Sequence, residues 1–296
     1  MAYNMSRSAG LNALWSTMKV AVQWRLLLLW LLIMLIPVSV VALPLWQTLG
    51  GLLDTSVHAA EWARHFSAMM LTDVIFDLSE HAEWFGGVAV AGLVLTLLFS
   101  PFLDGMIVGS GRARQVLGFG ALLQNGLLEY GRLFRLMLWS LPLYGLFAWA
   151  FTTGAHMTDK YADAAVLESR VDLYSHVMHV LVLIVFVVIQ SIVESARAAF
   201  IADVTLHSAT RALWRGIRQL IRRPLRTLLF YVLVTVVGLL LASVFAVARI
   251  HVTAVGGVGF LLAWLLSQLI VVSIGWMRAA RLFALTEVAR TVMRNA

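Results

Sequence analysis

Six long runs of the chain contain no Asp, Glu, Lys or Arg, and the charged residues collect in the segments between them. The uncharged runs are residues 26–53, 84–103, 136–158, 173–193, 227–248 and 250–277. A helix of about 20 apolar residues crosses the hydrocarbon core of a bilayer, so each run is long enough to span it. Backbone groups in lipid must bond within their own segment, and the runs lack the alternation of a barrel strand, which predicts helices.

The pattern therefore predicts an all-α fold, a polytopic membrane bundle of six transmembrane helices in a single transmembrane domain, 1–296. The predicted spans are 26–46, 86–108, 133–153, 175–195, 227–248 and 257–277. The outer loop 47–85 is the longest connection, and its apolar residues recur at near-helical spacing, which predicts interfacial helices. The first run is too long for the apolar core of a signal peptide, so we interpret it as a retained span.

Composition supports a membrane environment and excludes several kinds of chemistry. The chain is 61% hydrophobic and 12% charged, with a mean hydropathy of +0.89, whereas soluble domains are about a quarter charged. It has no cysteine, which excludes disulfides, thiolate metal sites and cysteine nucleophiles. It also lacks a phosphate-binding G-x-x-x-x-G-K-[ST] loop and a G-x-S-x-G nucleophile elbow. We therefore expect a non-enzymatic protein without a cofactor.

The connecting segments sort by the sign of their charge. One side of the predicted membrane carries 18 Lys and Arg residues and 5 acids, and the other side carries 4 basic residues and 10 acids. Lys and Arg are retained on the cytoplasmic side of spans, which predicts cytoplasmic N- and C-termini. The basic excess is expected to meet anionic lipid headgroups, not nucleic acid. This basic side comprises residues 1–25, 104–135, 194–226 and 278–296.

Short sequence similarities divide the chain into three modules, each with an amphipathic segment, a span, an outer loop and a second span. The amphipathic segments begin Ala13-Leu14-Trp15, Ala121-Leu122-Leu123 and Ala212-Leu213-Trp214. This repeat predicts three helical hairpins, each preceded by a cytoplasmic amphipathic elbow helix. The second span of module one also contains Gly105-x-x-x-Gly109, a spacing that permits close helix packing.

The third elbow segment separates apolar and basic residues at helical spacing. Ser208 is a candidate N-cap, and Pro224 is placed to begin the following span. Such a helix lies in the membrane surface, either as an elbow that orients the next span or as a docking surface for a partner, which would be another membrane or cytoplasmic subunit. The candidate surface arginines are Arg211, Arg215, Arg218, Arg222 and Arg226.

Charged residues also end the second span of each module, at Asp104, Glu194 and Arg278. A charge at membrane depth is costly unless it is paired, so these residues are expected to converge on a candidate inner polar cluster that includes Arg197 and Asp203. The functional interpretation is a gate, a proton site or an anion-binding vestibule. The structural alternative is a set of headgroup-level ion pairs that fix the helix ends.

Histidines gather on the acidic side of the predicted membrane. His58 and His65 share a predicted helix face with Glu61, and His176 and His179 lie one turn apart at the start of the fourth span. Imidazoles and carboxylates can bind zinc, but no tight metal-binding motif is present. We therefore expect interfacial histidines and no metal, and an enzyme with an outer His/carboxylate site is the third interpretation of the chain.

One part of the sequence resembles a known group of proteins. Residues 194–203, 212–218 and 222–226 are similar to bacterial six-helix inner-membrane proteins grouped with the membrane domain of glycerophosphodiester phosphodiesterases, over roughly residues 118–290. The resemblance implies a six-helix architecture and transfers no catalytic residue. The leading functional prediction is a permease-like or transport-associated membrane component, and the alternative is a membrane scaffold or lipid-interacting assembly factor.

Overall fold

The computed structural model describes residues 12–53, 72, 75–76, 83–113, 115–164, 168–253 and 256–294. Eight helices and no strand occur in this part of the chain, which confirms the all-α prediction. The helices are α1 (12–20), α2 (Trp24–Leu53), α3 (Glu83–Arg112), α4 (Phe119–Ala164), α5 (Glu168–Ala202), α6 (Ala209–Arg222), α7 (Pro224–His251) and α8 (Gly256–Arg294).

Six of these helices, α2, α3, α4, α5, α7 and α8, are long and apolar enough to cross a membrane. All six predicted spans are therefore present, and each helix extends beyond its predicted span. Helix α2 continues to Leu53 instead of ending at residue 46, and the added residues include no charged side chain. The predicted interfacial helices of loop 47–85 lie largely outside the described residues.

The second amphipathic segment differs from the prediction of a separate elbow helix. Residues 119–164 form one continuous helix, so this segment runs directly into the third span. The third segment does form its own helix, α6, capped by the Ser208 side chain, which accepts a hydrogen bond from the Arg211 amide. Its end is a backbone break at Arg223 (φ −138°, ψ 58°), directly before Pro224 begins α7. No proline interrupts the corresponding part of α4, which explains the difference.

The residues pack into two compact units, and several helices run through both. One unit, called the basic unit here, contains residues 12–22, 104–236 and 278–294 of the described chain. The other contains the described parts of 23–103 and 237–277. In this second unit glycines allow close helix contacts, since an added Cβ at each would come within 3.0 Å of a neighbouring side chain. The contacts are Gly92 with Val41, Gly238 with Met277 and Gly275 with Trp30.

In the basic unit, α4 and α5 pack along each other as an antiparallel pair. Aromatic rings contact at two levels, with centroids 5.3 Å apart for Phe147 and Phe186 and 4.4 Å apart for Tyr161 and Tyr174. Residue numbers rise along α4 as they fall along α5, which makes the two helices antiparallel. Consecutive spans with a short connection are expected to pack in this way.

Two crossings in the basic unit repeat the same geometry. A Cβ added at Gly216 of α6 would lie 2.5 Å from the carbonyl oxygen of Ile192 and 2.9 Å from the amide of Ala196 in α5. A Cβ added at Gly105 of α3 would lie 2.9 Å from the carbonyl oxygen of Gly126 in α4. In both places the end of a span crosses the segment about 20 residues later in the chain, backbone against backbone, which the small side chains permit.

Candidate functional site

Three helices of the basic unit bring charged side chains together at their adjoining ends. The charge cluster, as we define it, consists of Asp104 from α3, Glu194 and Arg197 from α5, and Arg278 and Arg281 from α8. Four of the five residues predicted for the inner polar cluster therefore meet in the structure. The fifth, Asp203, lies elsewhere, and Arg281, which is not among the five predicted residues, takes part.

The ion pairs share their acceptors. Asp104 Oδ2 accepts hydrogen bonds from Arg278 Nη2 at 2.9 Å and forms an ion pair with Arg197 Nε at 3.1 Å. Glu194 Oε1 accepts from Arg197 Nη1 at 3.1 Å and lies 3.8 Å from Arg281 Nη2. Arg197 thus bridges both carboxylates and joins α5 to α3, whereas Arg278 and Arg281 join α8 to the same two carboxylates.

Tyrosines extend the charge cluster to two further helices. Arg281 Nη1 lies 3.3 Å from the hydroxyl oxygen of Tyr231 in α7, and its guanidinium stands 5.3 Å from the centre of that ring. In α4 the Tyr144 hydroxyl donates to Gln190 Oε1 of α5 at 3.2 Å. A guanidinium over an aromatic face gains electrostatic stabilisation that strengthens when water is excluded.

The cluster combines strong burial with an unequal number of charges. Asp104 and Glu194 are 2% and 3% exposed, and three arginines face these two carboxylates, which leaves one positive charge in excess. Asp104 Oδ1 and Glu194 Oε2 are buried and have no hydrogen-bond partner among the described residues. Buried carboxylate oxygens are normally satisfied, so these two can accept hydrogen bonds from water or from a ligand that reaches the cluster.

A cavity beside the last turns of α8 does not open onto the charge cluster. It has a volume of about 280 Å³ and lies among α1, the end of α3 and the last turns of α8. Its walls include Thr17, Ser110, Phe283 and Arg290, and none of the five cluster residues. This cavity therefore does not reach the ion pairs, which join the three helices directly, an arrangement called closed here.

Asp203 pairs with α6 instead of joining the charge cluster. Its Oδ2 accepts a hydrogen bond from Arg215 Nη1 at 2.6 Å, and its Oδ1 accepts from the amide and hydroxyl of Thr205. Hydrogen bonds from Thr205 and Arg215 lower the pKa of Asp203 from its ordinary value to about 2. The carboxylate therefore links the end of α5 to α6, which gives it and Arg215 a structural role.

A second ion cluster of the basic unit was missed by the sequence analysis. Arg112 donates to the carbonyl oxygen of Phe200 through Nε (3.0 Å) and Nη2 (2.6 Å), and through Nη1 to Glu129 at 2.6 Å. Glu129, only 5% exposed, also pairs with Arg132. Phe200 belongs to the last turn of α5, where carbonyls lack helical partners, so Arg112 of α3 caps α5. Nothing in the spacing of residues 112 and 200 signals this contact.

The arginines of the third elbow segment divide between several environments. Arg215 is bound to Asp203, whereas Arg211, Arg218 and Arg222 are exposed on α6 and Arg226 is exposed in the first turn of α7. The sequence analysis also missed the packed face of α6, which is made of small or polar residues. That buried face consists of Ala209, Ala212, Gly216 and Gln219.

Two histidines at the start of α5 make local backbone contacts. The Nδ1 atoms of His176 and His179 lie 2.6 and 2.7 Å from the carbonyl oxygens of Asp172 and Ser175, one turn earlier in α5. Among the described residues there is no group of three or more His, Cys, Asp or Glu side chains placed to hold a metal ion. His58, Glu61 and His65 lie outside the described residues.

Comparison with protein families, with curated proteins and with solved structures finds no match to this chain. The functional argument therefore rests on the charge cluster, the second ion cluster and the faces of α6.

Proposed function

We propose that the protein is a non-enzymatic, multi-pass component of the bacterial inner membrane with a permease-like or transport-associated role. In this proposal the N- and C-termini are cytoplasmic, and the charge cluster is the inner gate, closed in the present structure. The observation that carries the proposal is the excess of one arginine over two buried carboxylates, where three membrane-length helices meet. Ionisable groups at membrane depth are costly and usually mark a pathway or a switch.

The geometry suits a gate because few bonds hold the helix ends together. Asp104 is the single carboxylate of α3 in the cluster, and both of its ion pairs use one oxygen. Loss of that carboxylate removes the ion pairs that α3 makes with α5 and with α8 at the same time. The two unpartnered oxygens, Asp104 Oδ1 and Glu194 Oε2, offer acceptors to a donor-bearing substrate or to water as the gate opens.

The absence of cysteine from the chain provides a direct test of gating. Ser195 is fully buried beside Glu194, so Ser195→Cys places a single reactive thiol next to the charge cluster. A water-soluble maleimide should label this thiol slowly in the otherwise wild-type chain and at least several-fold faster when Asp104→Asn is added. Glu287→Gln is the matched control, because Glu287 forms an exposed pair with Arg290.

Two outcomes of the labelling experiment separate the possibilities. Faster labelling with Asp104→Asn and an unchanged rate with Glu287→Gln would support a gate. Equal rates in all three proteins, with each protein folded, would show that the cluster does not control access, and the gating proposal would be withdrawn.

The proposed orientation has its own test. A reporter fused after Asp163 should be active outside the cytoplasm, and reporters fused after Arg218 or Asn295 should be active inside it. The expectation follows from the 18 basic residues against 5 acids on the basic side. A periplasmic reporter after Arg218 would reverse the orientation of the whole bundle.

A membrane scaffold or lipid-interacting assembly factor is the second candidate, favoured by the closed state of the cluster. Side chains such as Asp104, Leu103 and Met106 are fully or almost fully buried, as in a packed junction between helices. A scaffold would retain partner subunits or lipids through purification in mild detergent and would show no change in thiol access when the cluster is altered.

A further inference from the structure

Three apolar side chains on or beside α6 are mostly uncovered. Trp214, Ile221 and Leu225 are 65%, 72% and 82% exposed, although α6 itself is packed against the protein along another face. Trp214 follows the buried Ala212 by two residues, which places it roughly 200° around the helix and hence on the opposite side. The exposed apolar edge is therefore built into the docking of α6 and does not depend on side-chain rotamers.

The docking of α6 leaves little freedom for the helix to roll. The backbone at Gly216 approaches the backbone of α5 so closely that an added Cβ would meet the Ile192 carbonyl oxygen at 2.5 Å. On the same face the buried Gln219 side chain donates to the Leu285 carbonyl oxygen of α8 at 3.4 Å. Two independent contacts thus fix which residues of α6 point away from the protein.

Arginines without acidic partners flank the exposed apolar edge. Arg211, Arg218 and Arg222 form no ion pair among the described residues, whereas Arg215, on the adjacent part of the helix, is occupied by Asp203. Arg211 and Arg218 lie three residues before and four residues after Trp214, so both border its side chain. The edge alternates cationic and apolar groups. The sequence has no Asp or Glu from Val204 to His251, so no acid of this stretch neutralises the arginines.

The position of α6 along the chain determines the kind of surface that this edge meets. Six residues separate its start from Ala202, the end of the membrane-length helix α5, and only Arg223 separates its end from Pro224, the start of α7. Both ends of α6 are consequently held at the ends of spans, which is the depth of lipid headgroups. An occupant must supply anions to the arginines and apolar cover to Trp214 and Ile221, and an anionic phospholipid supplies both.

We propose that this edge of α6 is a binding site for an anionic phospholipid. The guanidinium groups of Arg211, Arg218 and Arg222 hold the headgroup phosphate and its neighbours, and the upper acyl chain covers Trp214 and Ile221. Arg215 has no part in lipid binding, because its side chain holds Asp203. The proposal does not depend on the gating role of the charge cluster.

The test measures how tightly the purified full-length protein retains phosphatidylglycerol, using native mass spectrometry in a zwitterionic detergent. The triple variant Arg211→Gln/Arg218→Gln/Arg222→Gln should bind phosphatidylglycerol roughly 100-fold more weakly, since each arginine near the surface contributes about fivefold. The control variant carries the same charge change at three exposed arginines elsewhere, Arg170, Arg290 and Arg294. It should stay within about twofold of the wild type.

Further variants and ligands, measured in the same assay, identify what the arginines bind. Trp214→Gln/Ile221→Gln should also weaken phosphatidylglycerol retention, because the acyl chain loses its cover. Phosphatidylcholine should not bind as tightly as phosphatidylglycerol. Inorganic phosphate, added as a competitor, should not displace phosphatidylglycerol. Equal retention by the triple variant and the control, or displacement by inorganic phosphate, would overturn the proposal. If the triple variant does not fold, Arg218→Gln alone must still lower retention about fivefold, and an unchanged value there has the same meaning.

Discussion

The charge arithmetic of the cluster predicts that its members do not contribute equally to stability. Replacing Asp104 by Asn leaves three guanidiniums facing one carboxylate, so the buried excess rises from one positive charge to two. Replacing Arg278 by Gln leaves two arginines and two carboxylates, which are balanced. Asp104→Asn should therefore destabilise the protein much more than Arg278→Gln, although both substitutions break the same 2.9 Å bond.

The size of the stability loss expected for Asp104→Asn follows from the burial of its carboxylate. Removing one partner of a buried ion pair costs about 3–5 kcal/mol, whereas exposed pairs contribute about 0–1 kcal/mol. Asp104 is 2% exposed, so the larger value applies, and each kcal/mol corresponds to roughly 2–4 °C in Tm for a large domain. We expect Asp104→Asn to lower Tm by at least about 6 °C. Glu287→Gln, in a pair whose side chains are 40% and 46% exposed, should shift it by about 2 °C or less.

The assay is thermal unfolding of the purified protein in one mild detergent, with wild type, each single variant and the Asp104→Asn/Arg278→Gln double variant measured together. The double variant restores the original excess of one positive charge and should recover part of the stability lost in Asp104→Asn. A silent Asp104→Asn would show that the cluster is hydrated at headgroup level. Equal losses for both single variants would show that bond number, and not net charge, determines the stability of the cluster.

Three further predictions concern the basic unit. Gly216→Ala should lower stability by about 1–3 kcal/mol through the backbone clash with α5, while Gly120→Ala, with nothing within 4 Å, should be neutral or stabilising; equal Tm values would mean that α6 docks differently. Arg112→Gln should cost about 1.5–3 kcal/mol, because it leaves the end of α5 uncapped, and a Tm within 1–2 °C of wild type would contradict this role. Asp203→Asn should lower Tm at neutral pH, and the difference in Tm from wild type should vanish as pH falls from about 4 to about 2. The pKa of Asp203 in the folded protein is about 2, below its ordinary value. The ionised carboxylate therefore stabilises the folded protein only above that pH range. A difference that persists at pH 2 would assign the effect to packing.

The spans and the depth of Asp104, Glu194 and Arg278 follow from the sequence for a simple reason. Lipid allows few backbone structures, so hydropathy alone defines where helices cross and where charges must end them. The partners of those charges depend instead on how each helix is rotated, which is why Arg281 joins the cluster and Asp203 does not.

Contacts that depend on small residues or on backbone atoms leave no pattern in the sequence comparable to the hydropathy of the spans. The apolar residues of α6 suggest a face around Leu213, but the helix packs through Ala212 and Gly216, because close approach to α5 requires small side chains. The cap that Arg112 places on Phe200 uses a carbonyl group that every residue carries. The continuous helix of residues 119–164 differs from the prediction because the second amphipathic segment resembles the third in sequence but is not followed by a proline.

The Asp104–Arg278 bond joins residues that are 174 positions apart in the chain, with four membrane-length helices beginning between them. At a translation rate of about 5–20 residues per second, Asp104 leaves the ribosome roughly 9–35 s before its partner is synthesised. Arg197 arrives earlier, together with its own acid, Glu194, so the newly made chain holds an incompletely neutralised site until the last helix inserts. Completion of the cluster therefore waits for the synthesis of α8, and chains truncated before residue 278 lack both arginines that α8 supplies to the two carboxylates.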